Sequence, residues 1–159
     1  MIFITLGSQK FQFNRLLKKI DELIETGTIT DTVFAQTGYS DYCPKNFSYE
    51  NFLDRDTFAA KTQESTLVIT HGGTGAIIGA VKKGKKVIAV PRLAQYGEHV
   101  DDHQIQMIEQ FNEMDIICAC MDTEQLAESI HFTEAHNFRP YQSNTHNIIA
   151  SITEYLETL

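Results

Sequence analysis

Hydrophobic residues occur along the chain in two alternating patterns, short uninterrupted runs and longer stretches with helical spacing. The first run, residues 1–6, is followed by Gly7 and Ser8, which indicates a buried strand that ends in a tight loop. Over residues 13–24, apolar side chains recur three or four positions apart with charged side chains between them, which predicts an amphipathic helix. Four further apolar runs predict strands at residues 32–37, 67–70, 87–90 and 116–120.

Stretches of helical character separate most of these runs. They cover residues 56–64, 76–83, 100–112, a segment that starts at Thr123 and the tail from Tyr141 onward. We expect Gly84 to cap the second of these helices and Thr123 to cap the fourth. Residues 39–52, rich in aromatic residues and turn formers, are predicted as loop with one short strand near Phe47. Strands that alternate with helices predict one α/β domain over residues 1–159, Rossmann-like and with a mostly parallel sheet.

Composition and charge narrow the class of protein. Of the 159 residues 42% are apolar and 21% charged, which is typical of a globular protein. The 13 basic and 21 acidic residues give a net charge of −8, so a nucleic-acid partner bound through bulk charge is not expected. No apolar stretch approaches the ~18 residues of a membrane span, and the first residues do not resemble a signal peptide.

Cysteine usage indicates a reducing compartment. The chain contains Cys43, Cys118 and Cys120, an odd number without the spacing of a disulfide framework. Cys118 and Cys120 point to one face of a predicted strand and lack a second cysteine pair, so burial is the favoured interpretation over metal binding. A cytoplasmic location is expected.

The most informative motif is a glycine-rich loop, residues 71–75, between a predicted strand and a predicted helix. Its glycines let the backbone approach a ligand closely, and the free N–H groups and dipole of the following helix favour a phosphate or diphosphate. His71 and Thr74 can add side-chain hydrogen bonds to phosphate oxygens. The alternative is that the glycines only permit a tight turn. Anion binding is the favoured interpretation.

Two familiar phosphate motifs do not fit this region. The dinucleotide fingerprint fails because Ile78 stands where a third glycine or alanine is needed. Residues 79–86 nearly spell a P-loop, but Lys86 occupies the serine or threonine position that binds magnesium. That segment also spans the end of a predicted helix. Both motifs are therefore rejected.

Two patterns resemble metal sites, and neither is favoured. Asp54 and Asp56 have the spacing of a metal-binding D-x-D pair, but they precede a predicted helix, where aspartate is favoured as a cap. His99 and His103 are four residues apart without the glutamate of a zinc-binding helix, and His99 lies near the predicted helix start. No metal is expected.

The predicted strand 87–90 is followed by a polar segment, residues 91–104. Open α/β sheets bind their ligands beyond the carboxyl ends of strands, and its carboxylates and amide suit sugar hydroxyls. A solvated loop before a helix with acidic first-turn residues, Asp101 and Asp102, is an equally good interpretation of these residues alone.

Four lysines lie close together within residues 82–86 of an otherwise acidic chain. A solvated surface is the favoured interpretation of this cluster. An acidic partner and lipid headgroups are the alternatives.

Taken together, the segments 70–75 and 91–104 resemble the C-terminal half of GT-B glycosyltransferases of the family 28 type. Within that family, the pattern is most similar to short catalytic subunits of two-component enzymes of bacterial capsule and exopolysaccharide assembly, which are related to eukaryotic Alg13. The resemblance covers most of the chain, including residues 3–8 and 87–91. It implies the Rossmann-like, donor-binding half of a GT-B enzyme.

The resemblance implies a site built from three loops. The diphosphate of a UDP-sugar is expected at Gly7, Ser8, Gly72, Gly73, Thr74 and Gly75. His71 is implied as the catalytic residue, because it would stabilise the leaving diphosphate together with the backbone amides. The hydroxyls of the donor sugar are expected at Asp102, His103 and Gln104, with Arg92 and Glu98 bordering the same cleft.

One position departs from the family pattern. Many GT-B enzymes bind the ribose hydroxyls through a glutamate on the helix after the glycine loop, and Gly79 stands at that position here. Either another residue, such as Glu98, takes that role, or nucleotide affinity depends on a partner.

The resemblance also implies a reaction and a partner. We expect transfer of a hexose, galactose on the resemblance, from a UDP-sugar to a lipid-linked saccharide, without a metal or other cofactor. The acceptor site of GT-B enzymes lies on an N-terminal domain, so a membrane-anchored Alg14-like subunit is expected to supply it. The chain would then be peripheral at the inner face of the membrane. A non-catalytic nucleotide-binding or stabilising subunit and an epimerase-like module are the alternatives.

Overall fold

The computed structural model describes residues 1–140, which form one six-stranded parallel sheet with helices on both faces. The strands are β1 (Ile2–Thr5), β2 (Val33–Gln36), β3 (Ser48–Glu50), β4 (Leu67–His71), β5 (Lys86–Val90) and β6 (Cys118–Ala119). Their order across the sheet is β3-β2-β1-β4-β5-β6, with every neighbouring pair parallel. The predicted α/β fold with a parallel sheet is confirmed.

Residues 1–140 contain five α-helices, four of which lie between strands while the fifth follows β6. They are α1 (Asn14–Glu25), α2 (Arg55–Glu64), α3 (Thr74–Lys82), α4 (His103–Glu113) and α5 (Leu126–Ala135). Single 3₁₀ turns at Ala94–Tyr96 and Thr123–Gln125 precede α4 and α5. Within residues 1–140, no helix combines the length and the hydrophobicity needed to cross a membrane.

The apolar strand residues divide between two cores, one on each face of the sheet. On one face, α1 and α5 pack against residues such as Ile4 and Ile69. On the other face, α3 and α4 pack against Val68 and Val87. Alternate residues of a strand point to opposite faces, so the central residues of β1, β4 and β5 are apolar because both faces are covered.

The order of the strands creates a crevice between β1 and β4. From β1 the chain continues to β2 and β3 on one side, whereas β4 leads to β5 and β6 on the other. The connections that follow β1 and β4 therefore diverge, and ligands of open α/β sheets bind at such a point, beyond the carboxyl ends of the strands. The loop after β1 and the glycine loop lie at this edge.

Helix α3 ends as its sequence predicts. Gly84 has a φ of 73°, a left-handed conformation that glycine adopts without steric cost. Its N–H donates to the carbonyl of Val81 at 3.0 Å, and the N–H of Lys85 donates to that of Ala80 at 3.1 Å. These two bonds form a Schellman motif, so the predicted glycine stop is confirmed.

The aspartate cap of α2 is also confirmed. The carboxylate of Asp54 accepts a hydrogen bond from the N–H of Thr57 at 2.7 Å, which satisfies a free donor of the first turn. Cys118 and Cys120 are buried in the core against α1 and α5, and Cys43 is exposed. The burial that the sequence indicated for the cysteine pair is therefore confirmed.

Helix α4 begins at His103, three residues later than the hydrophobic spacing predicts. The carboxylate of Asp101 accepts from the N–H of His103 at 3.0 Å, and that of Asp102 accepts from the N–H of Ala94 at 2.8 Å. The first bond satisfies the N–H of the first helical residue, and the second ties Asp102 to the preceding 3₁₀ turn, so the helix begins only at His103. His99 consequently lies outside the helix.

Two other boundaries differ from prediction. Thr123 does not cap a helix but is the first residue of the 3₁₀ turn before α5. The cap of this turn is Asp122, whose carboxylate accepts from the N–H of Glu124 at 3.0 Å. Strand β6 is only two residues long, Cys118–Ala119, and is therefore shorter than the predicted run. The helix predicted from Tyr141 onward lies outside the described residues.

Candidate functional site

The imidazole of His71 is enclosed by two glycines. A Cβ atom at Gly7 would lie 2.5 Å from His71 Nε2, and one at Gly73 would lie 2.3 Å from Cε1. Real Cβ atoms do not approach other atoms so closely, so only glycine fits at either position. Gly7 also has a φ of 72°. The loop after β1 and the glycine loop thus meet at the ring of His71.

Burial keeps the imidazole of His71 uncharged. The side chain is 6% exposed, and its Nδ1 atom is buried without a hydrogen-bond partner among the described residues. Loss of hydration lowers the pKa of His71 to about 3, with smaller effects from the charges of Arg92 and His99. At neutral pH the ring can therefore donate one N–H hydrogen bond, but it does not present a positive charge to a ligand.

Gln104 connects the glycine loop to the segment after β5. Its side-chain oxygen accepts from the N–H of Gly72 at 3.1 Å and from the N–H of Arg92 at 2.9 Å. A Cβ atom at Gly72 would lie 2.7 Å from that of Gln104, so this contact too requires glycine. Because the oxygen is committed to two backbone donors, the amide nitrogen is the group that Gln104 can offer to a ligand.

Arg92 is buried beneath the loop after β1 and supports that loop through hydrogen bonds. Only 1% of the residue is exposed, and its guanidinium donates to the carbonyl oxygens of Leu6 and Phe11, the latter at 2.8 Å. The group lies 5.4 Å from the centre of the Phe13 ring. Burial lowers the pKa of Arg92 to about 10, which the charge of Glu98 opposes, so the group remains a cation at neutral pH.

Glu98 is equally enclosed. The residue is 0% exposed, and its carboxylate lies 3.1 Å from both Nε and Nη2 of Arg15 and accepts from the N–H of Leu93 at 3.0 Å. The structure therefore places Arg92 and Glu98 behind the cleft, where they support its loops. Their contact with a ligand stays a prediction, and so does a ribose-binding role for Glu98.

The remaining predicted residues lie at the surface of the same edge. Ser8 and Gly75 are exposed, and Asp102 and His103 are exposed at the start of α4. The hydroxyl of Thr74 donates to the sulfur of Met107 at 2.6 Å. The predicted phosphate contact of Thr74 would therefore require its hydroxyl to change partner.

The start of α3 leaves backbone donors available. Its first residue is Thr74, and no side chain caps the helix or adds a carboxylate to its first turn. The first N–H groups of a helix have no partner within it, and the helix dipole gives this end a partial positive charge. A Cβ at Gly75 would meet nothing within 4 Å, so the space beside this turn is open. This geometry suits an anion.

Three polar side chains that sequence reasoning missed lie in a row beside this loop. Thr5 pairs in register with Gln36 on one side and Thr70 on the other, so the three side chains share one face of the sheet. The side-chain oxygens of Gln36 and Thr70 are buried without a hydrogen-bond partner among the described residues. Each residue ends an apolar run, and that position is the sequence signal that could have identified them.

Next to this row, a small cleft of about 70 Å³ opens between α2 and α3. Its lining includes Thr5, Phe3 and Phe58, and Gly79 stands on its α3 side. A Cβ at Gly79 would meet nothing within 4 Å. The cleft lies under the helix that begins at the glycine loop, so a ligand bound to that loop can extend towards it.

Metal ligands do not converge in the part of the chain that the structure describes. Across residues 1–140, no three side chains of histidine, cysteine, aspartate or glutamate are arranged to hold a metal ion. Asp54 serves as a helix cap, and His99 lies outside the helix that carries His103. The expectation that the reaction needs no metal stays a prediction.

Comparison with solved structures identifies the fold. The chain is similar to the NMR solution structure of ALG13, with a TM-score of 0.57, 17% sequence identity and 87% of each chain covered. It is also similar to the crystal structure of the glycotransferase of kitacinnamycin, with a TM-score of 0.61 and 15% identity, over 99% of this chain and 39% of that one. Identities this low show the fold alone, which is that of one half of a GT-B glycosyltransferase.

Comparison with protein families is more specific. No curated protein sequence matches this chain. The family match spans residues 1–159 and thus includes the glycine loop, the loop after β1 and the segment after β5. The chain belongs to glycosyltransferase family 28, as a C-terminal domain of that family.

Proposed function

We propose that this chain binds the diphosphate of a UDP-sugar and is the donor-binding part of a two-component glycosyltransferase. The observation that carries the proposal is the convergence of three loops on the start of α3. Gly7 contacts His71 from the loop after β1, and Gln104 joins Gly72 to Arg92 across the other two loops. The backbone N–H groups of α3 face open space at that point, where a diphosphate would be held without a charged side chain.

Transfer of a sugar requires stabilisation of the leaving diphosphate. Backbone N–H groups and a helix dipole that are already oriented stabilise developing negative charge without reorganisation. The uncharged ring of His71 would add one N–H hydrogen bond. The close approach of Gly7 and Gly73 fixes the orientation of this ring. The amide nitrogen of Gln104 would donate to a hydroxyl oxygen of the donor sugar. Exposed Asp102 and His103 would contribute further contacts to that sugar.

The nucleoside would extend from the glycine loop towards the cleft between α2 and α3. The small size of Gly79 leaves room on that side of α3, and the unpartnered oxygens of Gln36 and Thr70 lie on the adjacent sheet face. Without a carboxylate at Gly79, the ribose would be held less tightly than in relatives with a glutamate there. Weak nucleotide binding by the isolated chain is therefore part of the proposal.

The acceptor would be supplied by a membrane-anchored, Alg14-like subunit. A general base for the acceptor hydroxyl is needed for transfer, and we expect it on the acceptor side of the complex. We propose a lipid-linked saccharide as acceptor, a hexose such as galactose as the transferred sugar, and exopolysaccharide or capsule synthesis as the process. The chain would act in the cytoplasm, peripheral at the inner face of the membrane through this subunit.

Two measurements test the proposal. The purified chain should bind UDP by calorimetry, and Gly73→Ala should abolish binding because the added Cβ meets the ring of His71. Gly27→Ala, which strains the backbone at a φ of 78° but adds a Cβ that would meet nothing within 4 Å, is the control for a loss of stability away from the site. Transfer from several UDP-sugars is then measured with the chain alone and with membranes that contain its partner. Efficient transfer by the chain alone to a soluble sugar would contradict the two-component proposal.

A second candidate is a non-catalytic subunit that binds nucleotide or stabilises its partner. The hydrogen bonds of Arg92 and Glu98 favour it, since these side chains serve the fold and are not presented to a ligand. Replacement of His71 by alanine separates the two functions. Loss of transfer while the complex with the partner still assembles would exclude the non-catalytic candidate.

A further inference from the structure

A second concave surface lies at the opposite end of the sheet from the glycine loop. Strand β5 begins at Lys86 and reaches the candidate site only beyond its last residue, Val90, so about 13 Å of strand separates the two ends. At the amino end, a groove of about 470 Å³ lies between the end of α3 and the segment after α5. We call it the basic groove, for its cationic residues Lys82, Lys85, Lys86 and Arg139.

The charge of this groove is of one sign. Among the described residues that line it, four are basic and none is acidic, although the whole chain has a net charge of −8. The ammonium group of Lys85 donates to the carbonyl oxygen of Gln63 at 2.8 Å, and that of Lys86 to the carbonyl of Glu134 at 2.9 Å. Carbonyl oxygens carry no net charge, so these bonds fix the two lysines in place without neutralising them.

The carboxylate next to the groove is already engaged. Asp115 precedes Ile116, which lines the groove, and its Oδ1 lies 2.7 Å from Nε2 of His136. This contact orients the carboxylate towards His136, and Asp115 is not among the residues that line the groove.

Aromatic side chains form the apolar part of the same surface. Phe138 lines the groove, and its ring lies 4.6 Å from the ring of His136. The ring of His136 stacks in turn on Phe132 at 4.8 Å, and Phe132 is 51% exposed. Ile116 lies at the base of the groove and is 3% exposed. Cationic side chains and the ring of Phe138 thus line one concave surface.

We propose that the basic groove binds an acidic, amphipathic segment of a protein partner. Carboxylates of such a segment would pair with Lys85, Lys86 and Arg139, and its apolar side chains would pack on Phe138 and Pro140. Two features favour a protein segment over a membrane surface. The site is concave, whereas a lipid surface is flat, and Lys85 and Lys86 are tied to carbonyls and not extended towards solvent.

The position of the groove gives this contact a function. A partner held at the amino ends of the strands leaves the glycine loop, at the carboxyl ends, open to donor and acceptor. The identity of the partner as the acceptor-carrying subunit rests on the proposed function, whereas the chemistry of the groove does not.

The experiment uses the full chain, labelled for NMR, and a short synthetic peptide in which glutamates alternate with leucine and phenylalanine. A peptide with glutamine in place of glutamate tests the need for charge. Vesicles of phosphatidylglycerol and phosphatidylcholine test the membrane alternative. The variant Lys82→Glu/Arg139→Glu reverses two charges of the groove. The matched control Lys18→Glu/Lys45→Glu makes the same charge change at exposed lysines elsewhere.

The acidic peptide should shift the amide signals of residues 81–86 and 137–139 and leave those of residues 72–74 unchanged. The groove variant should weaken binding at least about tenfold, and the control variant should not. Equal binding of the acidic and glutamine peptides, or equal weakening in both variants, would overturn the proposal. Preferential binding of the anionic vesicles through the groove would replace it with the membrane alternative.

UDP binding, measured on the same proteins, separates this inference from the proposed function. If the chain binds the peptide but not UDP, the groove stands and the donor-binding proposal fails. If it binds UDP but not the peptide, the groove inference alone fails.

Discussion

The side-chain oxygen of Gln104 accepts a hydrogen bond from the backbone N–H of Gly72 at 3.1 Å. The same oxygen accepts from the N–H of Arg92 at 2.9 Å, so one amide holds the loops after β4 and β5 together. Gln104 lies 32 residues from Gly72 along the chain. Gln104, which we expect to contact the donor sugar, thus also positions two loops. The positioning role predicts an effect on stability, and the sugar contact predicts an effect on transfer.

Replacement of Gln104 by leucine should destabilise the fold. Two buried N–H groups would lose their acceptor, and a buried donor without a partner costs about 1–3 kcal/mol. The free energy of unfolding, measured by urea titration, should therefore fall by about 2–6 kcal/mol for the two groups together. Gln106→Leu, at an exposed position two residues further along α4, is the matched control and should change it little. Equal effects of the two substitutions would contradict the positioning role.

The protonation of His71 should make the fold less stable in acid. Its pKa is lowered from 6.5 to about 3, so protonation favours the unfolded chain. The stability is complete above pH 6.5 and is lost as pH falls from there towards 3, by about 1.4 kcal/mol per pH unit. The difference between pH 7.5 and pH 5 should therefore include about 2 kcal/mol from this residue.

A pair of histidine variants isolates this effect. His71→Gln should remove the extra pH dependence between pH 7.5 and pH 5, whereas His131→Gln, at an exposed position on α5, should retain it. The readout is the free energy of unfolding at each pH, from urea titrations at constant ionic strength. If the wild type and His71→Gln have parallel pH profiles, the ring is not held neutral by burial.

Alanine at Gly7 should be more harmful than alanine at Gly27. Both glycines have left-handed φ angles, 72° and 78°, so both substitutions incur a similar backbone strain of about 1–2 kcal/mol. Only the Cβ at Gly7 would also meet the ring of His71, at 2.5 Å, since that at Gly27 meets nothing within 4 Å. The difference in thermal unfolding between the two variants therefore measures the contact. Equal melting temperatures would show that the ring moves away freely.

Glutamate at Gly79 should strengthen nucleotide binding. The position faces open space on α3, and the family pattern places a ribose-binding glutamate there. A carboxylate that accepts hydrogen bonds from ribose hydroxyls should raise the affinity for UDP about tenfold, the effect of about 1.4 kcal/mol. Gly79→Gln, which adds the same volume without the charge, is the control for calorimetry. Tighter binding by the glutamine variant alone would exclude this explanation.

Local patterns predicted the secondary structure where one physical effect dominated. The central residues of β1, β4 and β5 are apolar because both sheet faces are covered, and Gly84 ends α3 because its φ of 73° favours glycine. Prediction was wrong at the start of α4, where Asp101 accepts a hydrogen bond from the N–H of the first helical residue and Asp102 is tied to Ala94 in the preceding turn. Hydrophobic spacing carries no information about such polar contacts of the segment before a helix.

The site could be predicted in part for the same reason. The glycine loop was identified from residues that are adjacent in sequence, since a strand, a glycine-rich turn and a helix form one local unit. The supporting roles of Arg92 and Glu98 could not be predicted, because each depends on hydrogen-bond partners that are far away along the chain. Arg92 donates to the carbonyl of Leu6, 86 residues away, and Glu98 pairs with Arg15, 83 residues away. Both side chains look like cleft residues in sequence and are buried in the structure.

The sequence by itself determined the α/β class, the order of strands and helices and the location of the glycine loop. These features follow from periodicity, turn chemistry and caps, which act over a few neighbouring residues. Only the tertiary structure decided that His71 is uncharged, that Gly7 and Gly73 enclose it, and that four cations share one groove at the other end of the sheet. The burial of a side chain and the local charge around it depend on residues that are distant in sequence, so they are established only when folding brings those residues together.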